Sequence, residues 1–313
     1  PAGAAGSRNT LISPTLVQIG KAGVDGSSGN RDYVIVDSNR VPMRVVKAGQ
    51  VHVPAGLTVD IVSPVALTEF AWMDYIPWSD DSSYGIVIPQ VASFWGLWAG
   101  VNNFDMKYAI LSDRVRIWNN GAKGFTVRYV LSDYDGTTTA GGSQVLRSVA
   151  GGHVQIKRPG SSDINPRGKD ILLDTRYPYL PIVAENYIHR DLFVADGPKE
   201  LGDRSFTVSF PNDGSYLPFV KFYVEREVGA LGYRYTEPMS VTLSSAGPGN
   251  DLTYFLAQGS YGSPAILGSN FVKFYMALDH PRQWNNSSNN WQFTNNGRPV
   301  GIRYYVFAIP TSL

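Results

Sequence analysis

The side chains able to make or break bonds are sparse in this sequence, and their spacing assembles no reaction centre. There are four histidines, His52, His153, His189 and His280, and no cysteine. None of the histidines stands in an H-x-H or H-E-x-x-H pattern, the spacings that bring two imidazoles onto one metal. The lack of cysteine removes thiolate metal sites, iron–sulfur clusters, disulfides and thiol nucleophiles together. A serine nucleophile needs a G-x-S-x-G elbow. The nearest string, Gly259-Ser260-Tyr261-Gly262, has the spacing of a turn. No P-loop occurs, nor a G-x-G-x-x-G after a strand. The expectation is a protein with no catalytic residue, no metal ligand and no cofactor.

Carboxylates and aromatics leave narrower openings. A glycosidase needs only two carboxylates about 5–10 Å apart across a sugar. Asp80 and Asp81 follow Trp78, but neighbours on a strand point to opposite faces. Asp133-Tyr134-Asp135-Gly136 has the opening of a calcium loop without its downstream ligands. Turn chemistry accounts for both pairs. Tryptophans flanked by Asn and Asp can stack on a sugar and hydrogen-bond it. Trp78, and Trp291 with Asn289 and Asn290 before it, are therefore the candidates for glycan or partner contact. Filling a core is the competing role for each tryptophan.

The elements that would position these residues read as strands. Charged residues are 17% of the chain, below the usual quarter, while 32 glycines, 20 prolines and 12% aromatics favour short strands and turns. The net charge of +1 is spread evenly, so no basic patch suits nucleic acid. No apolar run of 18 residues is present, which argues against membrane insertion by a helix. Pro1–Arg8 lacks the basic and apolar regions of a signal peptide, which points to cytoplasmic synthesis.

Residues 1–30 read as an extended arm rich in Gly, Ala and Ser. Residues 31–135 form a first strand-rich block, with Leu57–Val62 alternating apolar and polar. Residues 136–189 read as a connector. It holds strand-like Val154–Lys157 and Ile171–Leu173 and an apolar, proline-bearing strip from Arg176 to Val183. Residues 190–313 form a second block, with strands expected at Ser205–Phe210, Phe219–Arg226, Val241–Leu243, Leu252–Leu256, Phe271–Leu278 and Ile302–Ile309. Val91–Gly100 is the one stretch that could make a helical turn. The spacing predicts an all-β chain of two tandem antiparallel β-sandwich domains behind an N-terminal arm.

The blocks also resemble each other. Phe104–Tyr108, Trp118-Asn119-Asn120-Gly121 and Val127-Arg128-Tyr129 are followed in the same order by Phe271–Tyr275, Trp284-Asn285-Asn286 and Ile302-Arg303-Tyr304. Phe219-Val220-Lys221-Phe222-Tyr223 recurs identically at 271–275. Asn-Gly is a hairpin signal, because both residues tolerate positive φ. Duplication of one β module predicts this pattern.

Cysteine-free, glycine- and tyrosine-rich tandem β modules behind an arm resemble, in overall style, the virion structural proteins of tailed bacteriophages. The resemblance implies a non-enzymatic component of a tail, fibre or tail-tip, located in the virion. Its partners would be itself, as a homo-oligomer with a trimer as one option, and other virion proteins. A host-surface glycan or protein is a further implied partner. The alternatives are a carbohydrate-binding module or receptor-binding adhesin, and a capsid decoration or spike protein. In an assembly, the arm and the 170–185 strip are expected to lie on neighbouring subunits. A chain lacking residues 1–30 is then expected to fold yet sediment as a monomer. A truncated chain that still assembles contradicts that role.

Overall fold

The computed structural model describes residues 10–13, 16–20, 34–37, 44–80, 85–88, 106–133, 137–176, 180–195, 204–227, 233–238, 263–276, 282–285, 290–293 and 299–311. Val91–Gly100, Val241–Leu243 and Leu252–Leu256 lie outside them. The described chain begins with β1 (Thr10–Ile12), β2 (Val17–Gly20) and β3 (Val34–Asp37). A first unit follows: β4 (Arg44–Val53), β5 (Thr58–Val62), β6 (Trp72–Ser79), β7 (Ile86–Ile88), β8 (Met106–Ile110), β9 (Arg114–Asn119) and β10 (Phe125–Asp133). The connector holds β11 (Leu146–Val149), β12 (His153–Lys157) and β13 (Ile171–Asp174). The second unit comprises β14 (Ile182–His189), β15 (Val194–Ala195), β16 (Arg204–Ser209), β17 (Tyr216–Glu227) and β18 (Tyr233–Thr236). It continues with β19 (Ala265–Leu267), β20 (Phe271–Met276), β21 (Arg282–Asn285), β22 (Asn290–Phe293) and β23 (Pro299–Pro310).

The chain is all-β, and every strand pairing among the described residues is antiparallel. The first unit has two sheets, ordered β4-β10-β6 and β5-β9-β8. One core joins them: Val53, Met73, Phe125, Val127, Tyr129 and Leu131 from the first meet Ile61, Val115 and Ile117 from the second. The second unit has sheets β14-β23-β17-β18 and β15-β16-β20-β19-β7. Between these, Phe222 meets Phe274 edge-on with centroids 5.1 Å apart, and Phe274 meets Tyr304 at 5.2 Å. Two sheets about each core fit the expected sandwiches. β7, from the first unit, completes a sheet of the second by pairing with β19.

Without the peripheral β7, β15 and β18, and the separate β21–β22 hairpin, each unit has six strands among the described residues. Taken in chain order within the unit, both place the sixth strand between the first and third, and the fifth between the second and fourth. This common topology fits a duplication. It puts Val127-Arg128-Tyr129 and Ile302-Arg303-Tyr304 on equivalent central strands, β10 and β23. The expected match of Phe104–Tyr108 with Phe271–Tyr275 differs, because the topology pairs β20 with β9. The repeated pentapeptides also fall on non-equivalent strands, β17 and β20. Their likeness has a packing reason: the fourth residue of each, Phe222 and Phe274, meets the other across the core.

The Asn-Gly turn expected as a hairpin is a corner between sheets. Asn119 is buried, and its amide donates to the carbonyls of Val53, Pro54 and Lys123 while its oxygen accepts from Gly121 N–H. These bonds carry the chain from β9 in one sheet to β10 in the other. A Cβ on Gly124 in this corner would lie 2.2 Å from Asp80 Oδ2. The proline-bearing strip also differs from its expected place on a neighbour. Leu180 and Val183 pack on the chain's own larger core, and Pro181 O accepts from Ala308 N–H.

The connector is held by polar groups. Lys157 is fully buried and donates to Ser161 O and to Asp163 Oδ1 at 2.8 Å. Buried Asp170 accepts from Thr139 N–H and Oγ1 and from Arg167 N–H. The Lys157 ammonium, with backbone N–H groups of Ser143 and Gln144, holds the Asp163 carboxyl down at about 2. A lowered folded pKa stabilises above the unfolded value near 3.8 and is lost as pH falls through about 2. Acid titration between these values is expected to expose the connector amides to exchange, and Asp163→Asn to abolish that pH dependence. Phe274→Ala, which empties the second core, is expected to cost about 3–5 kcal/mol in chemical denaturation.

Candidate functional site

The central strands β10 and β23 send alternate residues inward and outward. Tyr129 and Tyr304 point inward and are buried in their units. Arg128 and Arg303 occupy the equivalent outward positions. The two outward faces meet different fates.

In the first unit the outward face is covered. Ala48, Ile76 and Val130 belong to the same buried cluster as Phe219, Phe222 and Val306 of the second unit. Arg128 is only 6% exposed. Its guanidinium donates to the Pro218 carbonyl of the second unit and to Gln50 Oε1, and lies 5.4 Å from the centroid of the Trp78 ring. Burial pulls the Arg128 pKa down to about 10, so the group stays cationic at neutral pH. Lys221 adds an ion pair with Asp74 at 2.6 Å across the same junction. Together these contacts latch the two units.

In the second unit the equivalent face meets the first unit at Phe219 and Lys221, and the part around Arg303 is differently furnished. Strand registers place Tyr187 opposite Arg303, Glu185 opposite Tyr305, Tyr223 opposite Arg303, and Tyr235 opposite Glu225. Arg303 lies 5.3 Å from the Tyr305 ring centroid and donates through Nε to Tyr305 Oη at 3.2 Å. Tyr305 stacks on Phe307 with centroids 6.4 Å apart. The Tyr187 hydroxyl donates to Glu225 Oε2. Gly301 leaves room for that phenol, since a Cβ there would lie 2.2 Å from Tyr187 Oη. The hydrogen bond to Tyr305 raises the Arg303 pKa. Tyr235 is 56% exposed. Tyrosines and arginines held rigidly on a sheet are the side chains that dominate protein–protein contacts. The outer face of β5-β9-β8 offers a contrast. There Asp60 is paired with Arg114 and Arg116 at 2.8 and 2.7 Å, as suits a surface facing water.

The residues singled out from the sequence fall in separate places. Trp78 is half-buried on β6 beside Arg128, as part of the latch. Trp291 and Asn290 lie on β22, where the register pairs them with Trp284 and Asn285 of β21. Asn289 lies outside the described residues, as do Asp81 and Asp135. Asp80 contacts His52 at 2.9 Å at the surface. Asp133 is buried and accepts from Thr68 N–H and Oγ1. Among the described residues, no group of three or more His, Cys, Asp or Glu is placed to hold a metal, and no helix is long and apolar enough to cross a membrane. Sequence reading missed Tyr187, Tyr223, Tyr235 and Tyr305. The available signal was the alternation in Ile302–Phe307, whose outward residues are Arg303, Tyr305 and Phe307.

Arg128→Ala removes the charged donor to Pro218 across the junction, its bonds to Gln50 and the packing beside Trp78. The expected loss is about 2–3 kcal/mol in urea unfolding, the range for bonds to a charged group. An unchanged midpoint would contradict the latch.

No protein-family model, curated protein or solved structure matches the chain.

Proposed function

We propose that this chain is a non-enzymatic structural subunit that assembles with copies of itself, in the manner of a tailed-phage tail, fibre or tail-tip component. The observation that carries the reading is the inequality of two equivalent faces. The outward face of β4-β10-β6 is buried against the second unit, whereas on that of β14-β23-β17 the contact with the first unit lies at Phe219 and Lys221, and Tyr187, Tyr223, Arg303 and Tyr305 stay half-buried. A face of this composition is suited to another polypeptide. Three small sheets add support. β1-β2-β3, β11-β12-β13 and β21-β22 pack extensively only within themselves among the described elements. Sheets of two or three short strands are marginal alone and gain from a cover. The connector sheet also leaves Leu146, Val154 and Leu173 exposed. The virion setting rests on the compositional resemblance to phage structural proteins. A capsid decoration or spike would use the same surfaces.

Sedimentation of the purified full chain is expected to give an oligomer, and Arg303→Glu with Tyr305→Ala a folded monomer. A wild-type chain that is monomeric at all accessible concentrations refutes self-assembly.

One observation favours glycan attachment as a second reading. The β21–β22 register sets Trp284 opposite Trp291, bringing two tryptophans to one cross-strand position, with Asn285 and Asn290 paired at the next position on the other face. Trp291→Ala is expected to abolish glycan retention without loss of folding. Equal retention by the two proteins excludes this hairpin as the site.

A further inference from the structure

A cleft of about 540 Å³ runs between the two units, lined by Met73–Pro77 of β6 and Phe219–Phe222 of β17, together with Val87, Ile88, Glu237 and Pro238. Consecutive residues line both walls, so the walls are strand edges. β6 is the outer strand of its sheet. β17 has β23 along one side, while on the other β18 pairs only with Val224–Glu227. From Pro218 to Phe222 that second side of β17 has no strand partner among the described residues.

The direction of the unpaired groups follows from hydrogen bonds at the ends of the two ladders. In an antiparallel ladder, a residue's N–H and C=O point to the same side. Asp80 N–H donates to Gly124 O, so even-numbered residues of β6 bond to β10 and Met73, Tyr75 and Pro77 point away. Thr311 N–H donates to Ser215 O, so odd-numbered residues of β17 bond to β23 and Pro218, Val220 and Phe222 point away. The prolines agree with this. Pro77 and Pro218 stand at outward positions where a missing N–H costs no ladder bond. Continuing the β17–β18 register sets Pro238 opposite Phe222, where it has no N–H to give and the pairing stops. Pro218 O is taken by Arg128. Among the described residues the backbone N–H and C=O of Met73, Tyr75, Val220 and Phe222 have no ladder partner, although Met73, Val220 and Phe222 are at most 4% exposed. Buried backbone groups of this kind are almost always paired in folded proteins.

We propose that this cleft is a strand-acceptor site, filled in the assembly by an extended segment of a second copy of this chain. The segment pairs with Met73 and Tyr75 on one wall and with Val220 and Phe222 on the other. Strand addition of this kind takes its affinity from main-chain hydrogen bonds, which the two edges supply. The walls bear one internally neutralised pair, Asp74 with Lys221, and a single exposed carboxylate, Glu237. They therefore suit an uncharged, β-prone segment, and a chain with 17% charged residues and net charge +1 supplies such segments without repulsion between copies. β6 and β17 bridge this gap through side chains while their Cα atoms lie almost entirely beyond 8 Å of each other. Directly paired strands are about 4.8 Å apart, so β6 and β17 are not paired with each other. The proposal rests on the self-assembly reading above and names a second contact, beside the tyrosine face, through which copies join.

The test is amide hydrogen exchange on the full chain, dissociated by dilution and assembled. The four amides of Met73, Tyr75, Val220 and Phe222 are expected to exchange at least about 100-fold more slowly in the assembly, as amides entering a stable ladder do. Tyr75→Pro places a proline at an outward position like that of Pro77. It is expected to keep the monomer's circular dichroism and thermal midpoint while weakening assembly at least about tenfold. Assembly without added protection at these amides overturns the acceptor site and leaves self-assembly standing. Protection already present in the monomer overturns it too, since the edges are then filled within one chain. A chain that never assembles overturns both.

Discussion

A β-sheet has two faces, and a central strand buries residues on both only if something lies against each. That requirement organises this molecule. β10 and β23 are flanked on both edges, and each sends a tyrosine inward and an arginine outward. The inward faces close two cores around Phe125 and Phe274, both fully buried. The first unit solves its outward problem by leaning on the second, with Arg128 as the polar element in an otherwise apolar contact. The second unit meets the first at Phe219 and Lys221, while Tyr187, Tyr223 and Arg303 on the same face keep partial exposure.

The chemistry of the two outward faces follows from this asymmetry. Arg128 is desolvated, so its charge is satisfied by a carbonyl, an amide oxygen and an indole ring, all fixed in place by packing. Arg303 is half-buried, and its neighbours are tyrosines and carboxylates that also tolerate water. A surface of that kind can be stable in a free subunit and still yield a strong contact, because tyrosine and arginine keep few degrees of freedom once held by a sheet. Asp60 with its two arginines shows the alternative finish on β5-β9-β8, a charged face with little to gain from a partner.

Much of the architecture was legible in the residues because the governing signal is local. Alternation in Leu57–Val62 and Ser205–Phe210, and β-branched runs at Val51–Val53 and Val127–Val130, gave strands close to those observed. The Arg-Tyr signature marked the two central strands. What eluded the sequence depended on long-range placement. Nothing in Ile86–Ile88 states that it completes a sheet of the other unit. Nothing in Asn119-Asn120-Gly121 separates a hairpin from a corner, because the deciding bonds run to Val53 and Pro54. Two copies of Phe-Val-Lys-Phe-Tyr looked like a repeat of position, whereas they are a repeat of packing role. Trp78 had the polar neighbours of a sugar platform, and its place beside Arg128 depended on the packing of the two units. The open tyrosine face was hidden because its members come from four strands spread over residues 185–305.

The most direct test of the central claim, that the second unit's outward face is covered by another subunit, is hydroxyl-radical footprinting of free and assembled protein. Tyr223, Tyr235 and Tyr305 are expected to lose most of their reactivity on assembly, while the outer face of β5-β9-β8, read at Trp118, stays unchanged. Equal labelling of the three tyrosines in both states would contradict the account.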